Sequence, residues 1–165
     1  MAVHYSIPSM LRESLAEMLL VAKFCIEFRK DIKVWPAPGC YGYPAALLLL
    51  SIADSIGSYI EKGNTKKHFK ILNNVDYYGL NLNDNELRII CDNYRNLLSH
   101  NTVIAINVGL DIGSVNDSVL QKRDSRYWLN LIPFYSISVK AVSYFLSNSN
   151  VLKNNLTIEN IYKRL

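Results

Sequence analysis

Apolar residues recur at helical spacing in some stretches of this chain and alternate in others, and the change of period divides it into elements. Leu11, Leu15, Met18, Ala22 and Cys25 follow one another at steps of four and three, while Arg12, Glu13, Glu17 and Lys23 take other faces. That stripe predicts an amphipathic helix over 9–29. Residues 31–43 contain Pro36, Pro38, Gly39 and Gly42 and read as a loop. Pro44 suits the first turn of a second helix that runs to residue 62, with Gly63 as its stop. This helix is apolar nearly all round at its start, which predicts the central position in the fold.

Residues 65–72 are basic and predict a short helix, and 73–83 a loop. Asn83 followed by Glu86 is a capping-box pattern that opens a helix over 84–99. Beyond it the period becomes two. Ile104, Ile106, Val108, Leu110 and Ile112 alternate with Ala105, Asn107, Gly109 and Asp111. After a polar stretch over 113–124, Tyr127, Leu129 and Leu131 alternate as well, and the two runs predict an antiparallel pair. Pro133 opens a last long helix over 134–146, and Thr157 is placed to cap a short terminal one. The predicted fold is mainly α: a four-helix bundle with a small two-stranded antiparallel β element, in a single domain over 1–165.

Composition narrows the class. The 165 residues are 50% hydrophobic and 19% charged, enough to build one core and too apolar for wholesale disorder. A mean hydropathy of +0.05 predicts apolar surface that a partner covers. The net charge of +4 permits a polyanionic ligand without requiring one. No Lys or Arg precedes the apolar residues of 1–10, so a signal peptide is not expected. The longest uncharged stretch, 34–53, is broken by prolines and glycines; its continuous apolar run, 45–50, is too short for roughly 30 Å of hydrocarbon, so no membrane partner is expected. Cys25, Cys40 and Cys91 are odd in number and far apart, which predicts buried thiols and a reducing, cytoplasmic location. No C-x-x-C pair, phosphate-binding glycine loop or dinucleotide fingerprint is present, and His4 and His68 lack partners at metal spacing. The expectation is no metal and no cofactor.

One helix carries chemistry. Unwrapped at about 100° per residue, 84–99 places Leu87, Ile90, Cys91, Tyr94, Leu97 and Leu98 in one arc. Arg88, Asp92, Arg95, Asn96, Ser99 and His100 fall opposite. Asn96 and His100, four apart, share a face, and Arg95 flanks it. A guanidinium, an amide and an imidazole therefore gather at the helix end. Such a face is often only solvated, with Arg88–Asp92 as an ordinary surface pair. Here the helix runs into apolar Val103 and Ile104, which places the polar cluster beside packed surface.

The string Tyr94-Arg95-Asn96-Leu97-Leu98-Ser99-His100 resembles the R-x(4–6)-H motif of the HEPN superfamily, including the polar residue that family favours after its arginine. The resemblance is close over this motif and loose over the helical outline. It implies a helical bundle that dimerises to face two motifs across a cleft, and a metal-independent endoribonuclease, often a toxin or defence effector. It equally covers non-catalytic members that serve as dimerisation or ligand- and partner-binding modules. Position 102 is Thr, so the H-x-Y extension of toxins paired with nucleotidyltransferase antitoxins is missing, which weighs against that particular antitoxin partner.

In that reading His100 is the proton-transfer group, Arg95 holds phosphoryl oxygens, and Asn96 orients His100 or a phosphate oxygen. One histidine per chain serves poorly as both acid and base, which favours a homodimer. The basic run Lys62, Lys66, Lys67, His68 and Lys70 reads either as a solvated helix face or, with Arg88, as a guide for RNA backbone. Lys122, Arg123 and Arg126 carry the same two readings. Tyr41, Tyr43, Tyr77, Tyr78 and Trp128 serve packing or base stacking. Asp54 interrupts an apolar helix; a buried carboxylate needs a partner, and Arg95 is the one on offer.

Overall fold

In the computed structural model, which describes residues 7–148 apart from 37 and 62, three long helices and one broken helix enclose the core, and a small sheet closes one side. Helix α1 (Ile7–Glu27) follows the predicted stripe, with Leu15, Leu19, Ala22 and Ile26 buried. Helix α2 (Gly42–Ile60) packs against α1 and the last helix, α6 (Leu131–Asn148). α2 is long and apolar enough to cross a membrane by length and composition alone. In this fold its Ala45, Leu49, Leu50, Ile52, Ala53 and Ile56 are inside the core. It stops at Ile60, before Gly63, whose positive φ of 107° belongs to the following turn.

The basic stretch folds as a single turn, α3 (Thr65–His68), capped by the Asn64 side chain and continued by a 3₁₀ turn, Phe69–Asn73. Gly57 of α2 lies against this turn, where a Cβ would run into the His68 carbonyl. The next helix starts as predicted. Asn83 accepts from the Glu86 backbone at 3.0 Å, and Glu86 accepts from the Asn83 backbone at 3.0 Å. It then changes winding: α4 (Asp84–Ile89) passes into a π-helical stretch, Ile90–Asn96, and resumes as α5 (Leu97–Asn101). Thr102, at φ 57°, closes it with a left-handed turn.

The sheet corrects the predicted two-stranded antiparallel element. It has three strands in the order β1 (Val108–Asp111), β3 (Arg126–Asn130), β2 (Leu120–Arg123). β1 pairs with β3 in parallel, Val108 opposite Tyr127, and β2 pairs with β3 antiparallel, Leu120 opposite Leu129. The strand hidden in the polar stretch is β2. It joins β3 through Asp124 and Ser125, both at positive φ, as a two-residue hairpin turn requires. That hairpin occupies one edge of β3 and leaves β1 the other. The alternating run also begins late. Ala105 donates its N–H to the Asn93 carbonyl at 3.1 Å, so 104–107 dock on the helix before any strand starts, and Ile106 is 95% exposed. The Tyr94 hydroxyl lies 2.9 Å from the Gly109 carbonyl and 2.8 Å from that of Tyr127, tying the π-helical stretch to β1 and β3. Thr157 and Lys62 lie outside the described residues.

Candidate functional site

The apolar helix α2 carries one carboxylate, Asp54, and the site is built around it. Its Oδ2 accepts from Arg95 Nη2 at 2.7 Å, and its Oδ1 lies 2.7 Å from His68 Nδ1. The three side chains are 16%, 23% and 15% exposed, so water screens the pairs only in part. The sequence-level pairing of Asp54 with Arg95 is present. His68 was counted in a basic run; here it turns inward from α3 and takes the second carboxylate oxygen. Its Nε2 faces the Gly63 carbonyl at 3.0 Å. Both ring nitrogens thus face oxygen atoms, which fixes the orientation of the ring. The signals for it were an isolated acid in an apolar helix and a histidine 14 residues later, on the next turn of structure.

Arg95 also donates through Nη1 to Asn96 Oδ1 at 3.1 Å. Asn96 donates in turn to Asp92 Oδ1 at 3.3 Å, and Asp92 pairs with Lys66 at 3.6 Å. A chain of charged and polar side chains therefore runs from His68 through Asp54, Arg95, Asn96 and Asp92 to Lys66. Two of the five guanidinium N–H donors are used in it. The π-helical winding brings this about. Each residue there advances less than the 100° of an α-helix, so Arg95 is carried round toward α2 while Asn96 faces back to Asp92. Such stretches are often found at functional sites. The bonds of Asn96 tie it to Arg95 and Asp92.

His100 lies on the last turn before Thr102 and is exposed, as are Ser99 and Asn101. Of the predicted phosphate-contacting residues, Lys66, Lys67 and Lys70 are all exposed on the short turn that carries His68. Lys66 reaches the charge chain directly. Arg88 is exposed and donates to Asn85 at 3.1 Å, so the expected Arg88–Asp92 surface pair is replaced by Lys66–Asp92. Arg88 and Asp92 share a cleft of about 450 Å³ with Asn85, Ile89, Asn93 and Asn107, directly beside the charge chain.

The thiol beside the site, Cys91, is buried, and burial pushes its pKa up, with Asp92 adding to the effect. Cys25 and Cys40 are also buried and free. Among the described residues no three His, Cys, Asp or Glu side chains gather where they would hold a metal ion. Compared with family models, with curated proteins and with solved structures, the chain matches none.

Proposed function

We propose that this chain is a metal-independent endoribonuclease of HEPN type, acting on RNA phosphodiesters as a homodimer in the cytoplasm, in the manner of a toxin or defence effector. The observation that carries the reading is the fixed Arg95 guanidinium, held by Asp54 and Asn96 at the end of the π-helical stretch, five residues before an exposed His100 on α5. A phosphate approaching this helix end meets the remaining guanidinium donors, with Lys66, Lys67 and Lys70 on the neighbouring turn. In the reaction a 2′-oxygen bonds to the adjacent phosphorus as the bond to the 5′-oxygen breaks, leaving a 2′,3′-cyclic phosphate. One copy of His100 takes the 2′-hydroxyl proton, a second copy supplies the proton to the leaving oxygen, and Arg95 offsets the charge on the phosphoryl oxygens. Asn96 and Asp54 serve as positioning residues for Arg95.

The test is cleavage of total RNA by purified protein in EDTA. His100→Ala is expected to lower the rate on the order of 10²–10⁴-fold, and Arg95→Ala to lose both binding and rate. Lys67→Ala is expected to weaken binding in a salt-dependent way only. Background activity from wild type and both motif variants would overturn the proposal. One observation favours the second reading, a non-catalytic dimerisation or partner-binding module: Arg95 already has a carboxylate partner within the chain. Under that reading Arg95→Ala lowers stability and leaves no activity to lose.

A further inference from the structure

The most exposed aromatic cluster of the described residues lies away from the charge chain, where α1 ends and the loop to α2 folds back. Phe24, on the last turn of α1, and Phe28, just beyond its end, have ring centroids 5.6 Å apart. Phe28 stacks on Tyr41 at 4.8 Å with the ring planes 8° apart, and Trp35 meets Tyr41 edge-on at 6.1 Å. Phe24 is 59% exposed and Trp35 42%. Lys30 sits among these rings, its Nζ 5.1 Å from the Trp35 centroid and 5.8 Å from that of Tyr41. The cluster is built in advance rather than draped. The Tyr41 N–H donates to the Cys25 carbonyl at 2.9 Å, the Lys30 N–H to the Gly39 carbonyl at 2.9 Å, and Arg29 Nη1 to the Ile26 carbonyl at 2.6 Å.

We infer that this cluster is a stacking platform for unpaired bases of a single-stranded RNA. Two properties select that occupant. Half-exposed rings held in place offer π-faces that any base can stack on. Around them Lys23, Arg29, Lys30 and Lys33 outnumber Glu27 and Asp31, so 23–35 carries half of the chain's net charge of +4. The two acids are engaged: Glu27 with Lys23 at 3.8 Å, and Asp31 with the Lys33 backbone at 2.9 Å. A self-association surface favours a core depleted in lysine, whereas here a lysine stands at the centre of the rings. Tyr41 immediately precedes α2, and Asp54 lies twelve residues beyond Gly42 on that helix, roughly 18 Å along its axis. RNA as the ligand class rests on the proposed nuclease reading; ring stacking with a cation does not.

The test uses the full chain carrying His100→Ala, so that RNA survives the measurement, and fluorescence anisotropy of a labelled single-stranded 12-mer of mixed sequence. Trp35→Ala and Phe28→Ala are expected to weaken binding about ten-fold each, with Trp35→Phe restoring most of it. Ile32→Ser with Val34→Ser removes exposed apolar surface without removing a ring, and is expected to leave affinity unchanged. Equal affinity across all variants, no binding at all, or a change of oligomeric state without a change of affinity would overturn the platform. Cleavage is assayed separately on the protein with His100 intact. Ring-dependent binding without cleavage keeps the platform and sinks the nuclease, and cleavage with ring-independent binding does the reverse.

Discussion

A single carboxylate organises the chemistry of this protein. Asp54 holds Arg95 and His68 at 2.7 Å each, and removing its charge leaves the partly buried Arg95 guanidinium without its carboxylate. Asp54→Asn is therefore expected to destabilise the fold on the order of 2–4 kcal/mol, measured by urea unfolding, because broken buried pairs leave an uncompensated charge. Arg95→Lys keeps the charge but not the fork that bridges Asp54 and Asn96, so it is expected to lose activity nearly as far as Arg95→Ala in the RNA assay. A second residue-scale effect is set by pH. The Arg123 guanidinium, 2.6 Å from Asp111, holds that carboxyl below its usual value of 3.8. The depressed folded value makes the Asp111 contribution fully present above about pH 4 and lost as the pH falls through the folded value. The stability gap between wild type and Asp111→Asn is thus expected to narrow as the pH falls below about 4. Both side chains are more than a third exposed, so the gap is small, a fraction of about 1 kcal/mol.

At the scale of elements, the site depends on how closely α3 approaches α2 and on the winding of the helix after Asn83. Gly57 allows the His68 backbone to lie on α2, and a methyl group there has to push α3 away. Gly57→Ala is expected to cost about 1–3 kcal/mol and to break the His68–Asp54 bond. The two-dimensional proton spectrum of His68 would report the break, and an unchanged His68 resonance would contradict it. Tyr94 belongs to the same scale, since its hydroxyl joins the π-helical stretch to both parallel strands. Burial raises the pKa of this phenol, so it stays a neutral donor through the physiological range. Tyr94→Phe leaves two strand carbonyls with one donor fewer and is expected to cost about 1–2 kcal/mol in urea unfolding.

For the whole molecule the prediction is association. Val103 and Ile106, 48% and 95% exposed, leave apolar surface uncovered just beyond the helix 84–101, and the proposed reaction needs two copies of His100. A dimer is expected by light scattering at tens of micromolar. Its interface is expected near the helix 84–101, so that Ile106→Glu, on the exposed turn that follows this helix, dissociates it and Trp35→Ala does not. A monomer at that concentration would count against the two-histidine mechanism.

The positions of the long helices were legible in the chain itself. Local rules set them: the apolar stripe from Leu11 to Cys25, the nearly all-apolar start of α2, and the reciprocal Asn83–Glu86 cap. The Asp54–Arg95 pair was legible for a similar reason, since a lone acid in an apolar helix has to find a cation. Three features depended on the packed fold. β2 shows no alternation, with buried Leu120 followed by exposed Gln121 and Lys122 and half-buried Arg123, and only the hairpin turn at Asp124–Ser125 and the free edge of β3 make it a strand. The π-helical winding leaves no mark in the apolar spacing, and with it Arg95 bonds to Asp54 and Asn96 to Asp92. His68 became part of the site because Gly57 lets its turn settle against α2, a contact between separate elements that no local pattern encodes.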